Sequence, residues 1–222
     1  MKKVIAFSLW GEDKKYTHGA IKNCDLAKDI FPDWVCRFYL GKSVPISIIE
    51  ELRKRTNTEL YILNESGDWT GMFWRFYAAS DPSVLCMISR DCDSRLSVRE
   101  KEAVDQWLQS DKNFHIMRDH PYHAIEILGG MWGCKSTILQ DIVSLIENYK
   151  KKGNFWQVDQ NFLKEVIYPK VKDDSLVHDE FFNKNPFPSP RKDLEFVGQV
   201  FDENENTPEE HLEPLRKALG IK

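Results

Sequence analysis

Apolar and polar positions alternate along this chain in blocks that predict strands and helices in turn. Short apolar runs predict five strands, at residues 3–9, 34–40, 59–63, 84–89 and 113–117. Apolar residues at helical spacing, with start and stop signals, predict helices at 18–30, 45–55 and 97–109 and a short aromatic helix at 71–79. This alternation predicts an α/β fold with an open, mostly parallel central sheet flanked by helices.

The second half of the chain keeps the alternation less regularly. Glycines at 129–133 predict a tight turn, and helices are predicted at 137–149 and 158–167. Three prolines predict a loop at 183–191, and residues 202–210 are acidic. A last helix is predicted to begin near Thr207, and Pro214 is expected to break it if it is long.

Composition narrows the classes of protein to which the chain can belong. A length of 222 residues predicts one domain spanning 1–222. The net charge is −4 and there is no basic stripe, so no nucleic acid partner is expected. No stretch approaches the roughly 20 apolar residues of a transmembrane segment, and the run at 3–9 is interpreted as a strand rather than a signal peptide. Five scattered cysteines favour reduced thiols in a cytoplasmic protein.

The candidate chemistry follows the fourth predicted strand, in the segment Arg90-Asp91-Cys92-Asp93-Ser94-Arg95. Ligands of open α/β sheets bind outside the carboxyl ends of strands. In an extended segment residues i and i+2 point the same way, so both carboxylates are predicted to face one ligand. Their oxygens suit Mg²⁺ or Mn²⁺ bridging a diphosphate, and the arginines suit phosphate charge. The alternative is an ordinary charged loop after a strand. A capping box, Ser97 with Glu100, predicts the helix that follows.

Eight short segments form a pattern that runs to about residue 205. They are Ser8-Leu9-Trp10-Gly11, Tyr16…Gly19-Ala20…Asn23, the helix around Arg75, Asp91-Cys92-Asp93-Ser94-Arg95, Met117-Arg118-Asp119-His120-Pro121, Gly129-Gly130-Met131-Trp132-Gly133, Trp156-Gln157-Val158-Asp159-Gln160 and Glu195-Phe196-Val197-Gly198. In this order they resemble GT-A-type nucleotide-sugar glycosyltransferases, above all small enzymes of large algal (chlorella) viruses and of bacterial capsule clusters. The resemblance implies a UDP-sugar donor, Mn²⁺ or Mg²⁺, and a glycan acceptor. It also implies a nucleotide-binding half at about 1–110, an acceptor-side half at about 111–205 and an acidic, helical tail at about 206–222.

The resemblance further implies roles for individual residues. Asp91 and Asp93 would hold the metal, with His178 as a third ligand; the alternative for His178 is a surface or strand-packed histidine. The residues implied to meet the nucleotide sugar are Ser8, Trp10, Tyr16, Arg75, Asp91, Cys92, Asp93, Arg95, Gly130 and Trp132. Trp10 or Tyr16 would stack on the uracil, although each could instead be a core aromatic residue. Arg75 lies among aromatic residues and requires a partner, either a diphosphate or a structural carboxylate.

Transfer to a hydroxyl also requires a group that takes its proton. Asp159 is the first choice, with the alternatives that it contacts the donor sugar or is simply an acid favoured at a helix N-terminus. Asp119 and His120, which follow the fifth predicted strand, are the second choice.

Two other functions compete with a transferase. One is a non-catalytic module that binds a nucleotide sugar, against which stand the two aspartates. The other is a phosphate-loop NTPase at 129–137, where Lys135-Ser136 follows a glycine-rich run. Such a loop requires glycine directly before the lysine, and Cys134 occupies that position.

Overall fold

A twisted sheet forms the centre of the fold in the computed structural model, which describes residues 1–135, 138–182 and 185–221. Within those residues the sheet has seven strands: β1 (Lys2–Leu9), β2 (Trp34–Leu40), β3 (Thr58–Ile62), β4 (Val84–Ser89), β5 (Phe114–Arg118), β6 (Trp132–Lys135) and β7 (Ser175–Asp179). Their order is β3-β2-β1-β4-β6-β5-β7. Strand β6 runs antiparallel to β4 and β5, and the other neighbours pair in parallel. The predicted open, mostly parallel α/β fold is confirmed.

Helices cover both faces of the sheet. They are α1 (Lys14–Ile30), α2 (Ile46–Arg53), a 3-10 helix (Trp69–Ser80), α3 (Val98–Gln109), α4 (Ile142–Lys150), α5 (Val158–Phe162), a π-helical turn (Leu163–Ile167), α6 (Tyr168–Val171), a short 3-10 turn (Lys172–Asp174) and α7 (Glu209–Leu219). None of the helices in the described ranges combines the length and apolar character needed to cross a membrane.

Two apolar cores lie on opposite faces of the sheet because successive strand residues point in opposite directions. From β1, Ile5, Phe7 and Leu9 enter the core beneath α1, α2 and α3. Val4 and Ala6 enter the core beneath the 3-10 helix, α4 and α5. A strand covered on both faces is apolar on both of its sides, and this explains the continuous apolar run Val4–Phe7 of β1.

Two helix starts close to the sheet edge have side-chain caps. Asp13 accepts a hydrogen bond from the Lys15 amide at 2.9 Å, so α1 begins at residue 14 rather than at the predicted residue 18. Ser97 accepts one from the Glu100 amide at 3.2 Å, as the capping box predicts. Both caps fix helices that leave the carboxyl edge of the sheet.

Several predictions for the second half are wrong or incomplete. Residues 132–135 form β6 instead of continuing a turn, which removes the phosphate-loop interpretation because Gly133 and Cys134 are paired with β4. Ser136 and Thr137, including the predicted helix start, lie outside the described residues; α4 begins at Ile142. The predicted loop at 183–191 also begins outside them. Pro214 does not break α7, which continues through it to Leu219, and the next residue, Leu215, is buried.

Candidate active site

The candidate site lies at the carboxyl edge of the sheet, where β1 and β4 are neighbours. The chain leaves β1 for α1 and β2 on one side, whereas β4 is followed on its other side by β6. Such a switch in strand order opens a crevice at the carboxyl ends. Trp10 follows β1 there, Asp91 and Asp93 follow β4, and Gly129-Gly130 precede the antiparallel β6 at the same edge.

The segment Asp91–Ser94 forms a turn rather than the extended stretch that was predicted. The Ser94 amide and hydroxyl donate to the Asp91 carbonyl oxygen at 3.3 Å and 2.9 Å. Burial raises the pKa of Asp93, and the negative charge of Asp91 raises it further. The two carboxylates of the turn are therefore still close enough to influence each other. Cys92 points into the core instead, and its thiol donates to the Ser8 carbonyl oxygen at 3.4 Å. The structure therefore does not place the Cys92 side chain in the crevice.

Each carboxylate of the turn is paired with a cation. Lys15 Nζ lies 2.8 Å from Asp93 Oδ2. Arg75, which is almost fully buried, forms an ion pair with Asp91 through Nη1. Its other terminal nitrogen, Nη2, lies 3.1 Å from Asp159 Oδ2. Arg75 thus has the structural carboxylate partners that its apolar surroundings require, and it joins the turn to the residue predicted as the proton acceptor.

Asp159 is buried at the beginning of α5. Burial is the main reason that its pKa is raised, and the positive charge of Arg75 opposes the effect. Its Oδ1 atom is buried without a hydrogen-bond partner among the described residues, while Oδ2 contacts Arg75. A buried carboxylate with one unpaired oxygen and a raised pKa is suited to accept a proton.

Gly129 and Gly130 allow the backbone to approach these side chains closely. A Cβ atom on Gly129 would lie 2.6 Å from both Asp159 Oδ2 and Arg75 Nη2, and one on Gly130 would collide with Asp91 Oδ2. Gln160 fixes the approach, since its Oε1 accepts from the Gly129 amide at 2.7 Å. Only glycine fits both positions without displacing a charged group.

The turn has the chemistry that a divalent cation requires. Asp91 and Asp93 supply carboxylate oxygens, the ligands that Mg²⁺ and Mn²⁺ prefer, and the Asp91 side chain is 40% exposed. Lys15 and Arg75 already form ion pairs with Asp93 and Asp91, so positive charge is already next to these oxygens. Within the described ranges, however, no cluster of three or more His, Cys, Asp or Glu residues is arranged to hold a metal ion. Remaining ligands would therefore have to come from a bound diphosphate or water.

His178 does not supply the predicted third ligand. It lies on β7, where its Nδ1 atom is 2.8 Å from His115 Nε2 and its Nε2 atom is 2.8 Å from Gln106 Oε1. Both ring nitrogens are used and the residue is buried, so the alternative, a histidine packed on a strand, is the correct one.

The aromatic candidates near β1 differ in their surroundings. Trp10 packs tightly against Gly67, where an added Cβ atom would overlap the Trp10 side chain. Its indole ring also meets the Trp74 ring edge-on, with 5.8 Å between the ring centroids. Tyr16 is 38% exposed, and Lys15 lies over its ring at 5.1 Å from the centroid. Of the two, Tyr16 therefore has the more accessible ring beside the aspartates. Ser8 accepts from the Arg75 amide at 3.0 Å, which uses its hydroxyl to hold the 3-10 helix.

The flanking arginines both form ion pairs with carboxylates of other elements. Arg90 is buried and pairs with Glu100 of α3. Arg95 is paired with Glu205, with nitrogen–oxygen distances of 2.8 Å and 3.2 Å, and also donates to the Cys92 carbonyl oxygen. In the structure Arg90 joins the turn to α3 and Arg95 joins it to the C-terminal segment, and a phosphate role for either arginine stays a prediction.

Three further candidates lie in structural networks. Trp132 is fully buried in β6 and stacks on Phe114 at 5.2 Å, so it is a core residue. Asp119 is fully buried and accepts hydrogen bonds from Arg99 and Arg191. His120 is also buried.

The Nε2 atom of His120 contacts the His211 carbonyl oxygen at 2.8 Å, and its Nδ1 atom accepts from the Tyr122 amide at 3.0 Å. The polar atoms of Asp119 and His120 are therefore engaged in structural hydrogen bonds, which favours Asp159 over these second-choice bases.

Comparisons with known proteins complement this geometry. No family model and no curated protein matches the sequence. A glycosyltransferase involved in glycosylating the major capsid of PBCV-1 has a similar structure, with a TM-score of 0.53 and 14% identity over 82% of this chain and 84% of that one. S. aureus TarS 1–349 has a TM-score of 0.55 and 11% identity, over 81% of this chain and 58% of that one. The mannosyltransferase PcManGT of Pyrobaculum calidifontis, solved with GDP-Man and Mn²⁺, has a TM-score of 0.51 and 11% identity, over 81% of this chain and 55% of that one. The chain has a GT-A-type fold.

Similarity at this level of identity establishes the fold alone. The chain spans 58% of the TarS chain and 55% of the mannosyltransferase chain. A nucleotide-transferring enzyme shares the GT-A-type arrangement: 4-diphosphocytidyl-2C-methyl-D-erythritol synthase of Anaerococcus prevotii has a TM-score of 0.54 and 8% identity, over 99% of this chain and 98% of that one.

Proposed function

We propose that the chain is a metal-dependent glycosyltransferase that moves a sugar from a UDP-sugar donor to a hydroxyl group of a glycan acceptor. The observation that carries the proposal is the carboxylate pair Asp91 and Asp93 at the switch in strand order, with a cation already on each carboxylate. The GT-A-type fold and the order of the sequence segments support the same reaction class.

In this proposal Asp91 and Asp93 hold Mn²⁺ or Mg²⁺. Such an ion, when bound, supplies charge stabilisation to the diphosphate as it leaves the sugar. Arg75 keeps the carboxylates of Asp91 and Asp159 at a fixed separation, and Tyr16 offers a ring surface for the nucleotide base. Asp159 either accepts the proton of the acceptor hydroxyl or contacts the donor sugar; its unpaired oxygen and raised pKa favour the first role.

Calorimetry of UDP binding, with and without Mn²⁺, tests the metal centre. We expect UDP to bind only weakly without Mn²⁺, and we expect Asp93→Asn to lose at least tenfold in Mn²⁺-dependent affinity, because a neutral amide is a poorer ligand than a carboxylate. Asp105→Asn removes an exposed carboxylate of α3 and serves as the control. Equal affinity in all three proteins, independent of Mn²⁺, would disprove the metal role.

A nucleotidyltransferase is the second candidate, favoured by the nearly complete overlap with the Anaerococcus prevotii enzyme. The two reactions release different products. A glycosyltransferase incubated with Mn²⁺ and UDP-, GDP- or TDP-sugars releases a nucleoside diphosphate, by transfer or by slow hydrolysis. A nucleotidyltransferase incubated with a nucleoside triphosphate and a phosphorylated alcohol releases pyrophosphate. Nucleotide binding without release of either product would favour a non-catalytic module.

A further inference from the structure

Lys15 occupies a position in the site that its sequence context does not explain. It lies in the first turn of α1, directly after the β1 edge, and its ammonium nitrogen is 2.8 Å from Asp93 Oδ2. The Lys15 side chain is 30% exposed, whereas Asp93 is largely enclosed. The ammonium group therefore lies between the buried carboxylate and solvent, on the open side of the Asp91–Ser94 turn.

The first turn of a helix is an unfavourable place for a cation, because the helix dipole is positive there. The cap residue Asp13 is the nearest acid along the chain and adds favourable charge, but the carboxylate that forms the ion pair with Lys15 comes from another part of the chain, Asp93. Tyr16 packs its ring 5.1 Å from the ammonium nitrogen and restricts where the side chain can go. The arrangement holds a positive charge at the entrance to the carboxylate pair.

A divalent cation bound by Asp91 and Asp93 competes with this ammonium group for the same oxygen. Like charges a few ångströms apart repel, so the ion and the ammonium group do not share Asp93 Oδ2 without cost. The ammonium then requires another anion within reach of a flexible four-carbon stem. In the proposed reaction, the donor's diphosphate is the anion that arrives with the metal.

We propose that Lys15 occupies Asp93 while the metal is absent and binds the phosphate oxygens of the donor once the metal is bound. This inference rests on the proposed function and adds a phosphate-binding residue to it. Lys15 then opposes metal binding on its own and supports nucleotide binding with the metal. The two effects have opposite signs, which an ion pair with a purely structural role does not produce.

Two titrations of Lys15→Gln test the proposal. In the first, Mn²⁺ alone is titrated, and we expect tighter binding by about threefold or more because a competing cation has been removed. In the second, UDP is titrated at saturating Mn²⁺, and we expect affinity to fall by about tenfold because a charged hydrogen bond to phosphate is lost. The affinity of Lys15→Gln for inorganic pyrophosphate at saturating Mn²⁺ should fall by a similar factor, since Lys15 contacts the phosphates and not the base.

Matched variants separate the charge of Lys15 from its position. Lys15→Arg keeps the charge and should retain most of the UDP affinity. Lys14→Gln removes the exposed neighbouring charge from the same helix turn and should change neither titration by more than about twofold. Lys15→Gln with wild-type UDP affinity, with weaker Mn²⁺ binding, or with effects equal to those of Lys14→Gln would overturn the proposal. If the wild-type protein binds no UDP with Mn²⁺, the proposed function itself has failed.

Discussion

Arg75 shows how a single buried charge organises the candidate site. It lies in an otherwise apolar 3-10 helix, and its guanidinium contacts two carboxylates from distant parts of the chain, Asp91 and Asp159. Removing charges from water is costly, and an arginine–carboxylate pair recovers that cost only with good geometry. The need for a partner was evident from the sequence, but the choice between a phosphate and a carboxylate depends on contacts between residues far apart along the chain.

Asp159→Asn tests the role of this residue in proton transfer. The amide oxygen still accepts from Arg75, so we expect UDP affinity with Mn²⁺ to stay within about threefold of wild type. Sugar transfer should fall by about 10²- to 10⁴-fold, because an amide does not accept the acceptor's proton. Turnover is measured as nucleotide release in the presence of acceptor, after the donor screen has identified an active donor.

A matched acid at another helix start provides the control for Asp159. Asp141 is exposed and precedes α4, so Asp141→Asn should leave both turnover and UDP binding unchanged. Asp159→Asn with near-normal turnover would exclude the residue as the base and leave only the structural ion pair with Arg75.

At the scale of secondary-structure elements, a strand can be predicted when its own residues form a recognisable pattern. Strands β1 to β5 were predicted because each is a distinct apolar run. Strand β6 has only four residues, and β7 mixes apolar with polar residues, so neither gives a strong local signal. Strand β6 is held between β4 and β5, and β7 pairs with β5, which lies far earlier in the chain. The same distinction applies to the site. Asp91 and Asp93 were signalled by the strand before them, whereas nothing near Lys15 indicates that it reaches Asp93.

Asp119 is expected to be essential for stability rather than for catalysis. It directly follows β5 and accepts hydrogen bonds from Arg99 of α3, from Arg191 and from the Val197 amide at 2.9 Å. Asp119→Ala leaves two largely buried guanidinium groups without this partner, so we expect the free energy of unfolding to fall by about 3–5 kcal/mol. Urea unfolding followed by fluorescence measures the change.

Asp173→Ala is the control, because that exposed side chain lies just before β7, and its substitution should change stability by less than about 0.5 kcal/mol. A small effect of Asp119→Ala on unfolding, with loss of sugar transfer at full stability, would return Asp119 to the list of catalytic candidates.

At the scale of the whole molecule, the C-terminal segment is built into the candidate site. The Phe201 amide donates to the Asp93 carbonyl oxygen at 2.8 Å, and Val200 forms a bridge with Ser94. Glu205 pairs with Arg95 beside the same turn. The turn that presents the carboxylates is thus fixed on one side by β4 and on the other by residues more than a hundred positions later in the chain. Local sequence around Asp91 and Asp93 therefore does not specify their final geometry.

The histidine pair between β5, β7 and α3 makes the stability of the whole fold dependent on pH. Burial, assisted by the positive charge of Arg99, lowers the pKa of His178 to about 4, and the pKa of its partner His115 is also lowered. In the unfolded chain a histidine has a pKa of about 6.5. Between these two values the unfolded state binds a proton that the folded state does not. Stability is therefore fully present above about pH 6.5 and is lost as pH falls toward about 4.

Unfolding in urea at pH 7.5 and pH 5.0 measures this dependence. Each pH unit below about 6.5 costs up to about 1.4 kcal/mol per such histidine, so the contribution of His178 to the acid-induced loss should be about 2 kcal/mol. His178→Gln lowers stability at both pH values but should lose less between them, because glutamine does not titrate. His18→Gln replaces an exposed histidine of α1 and should keep the wild-type difference. Equal differences in wild type and His178→Gln would mean that the buried pair takes up its proton without unfolding, in which case the contact between β5 and β7 must open to water well above pH 4.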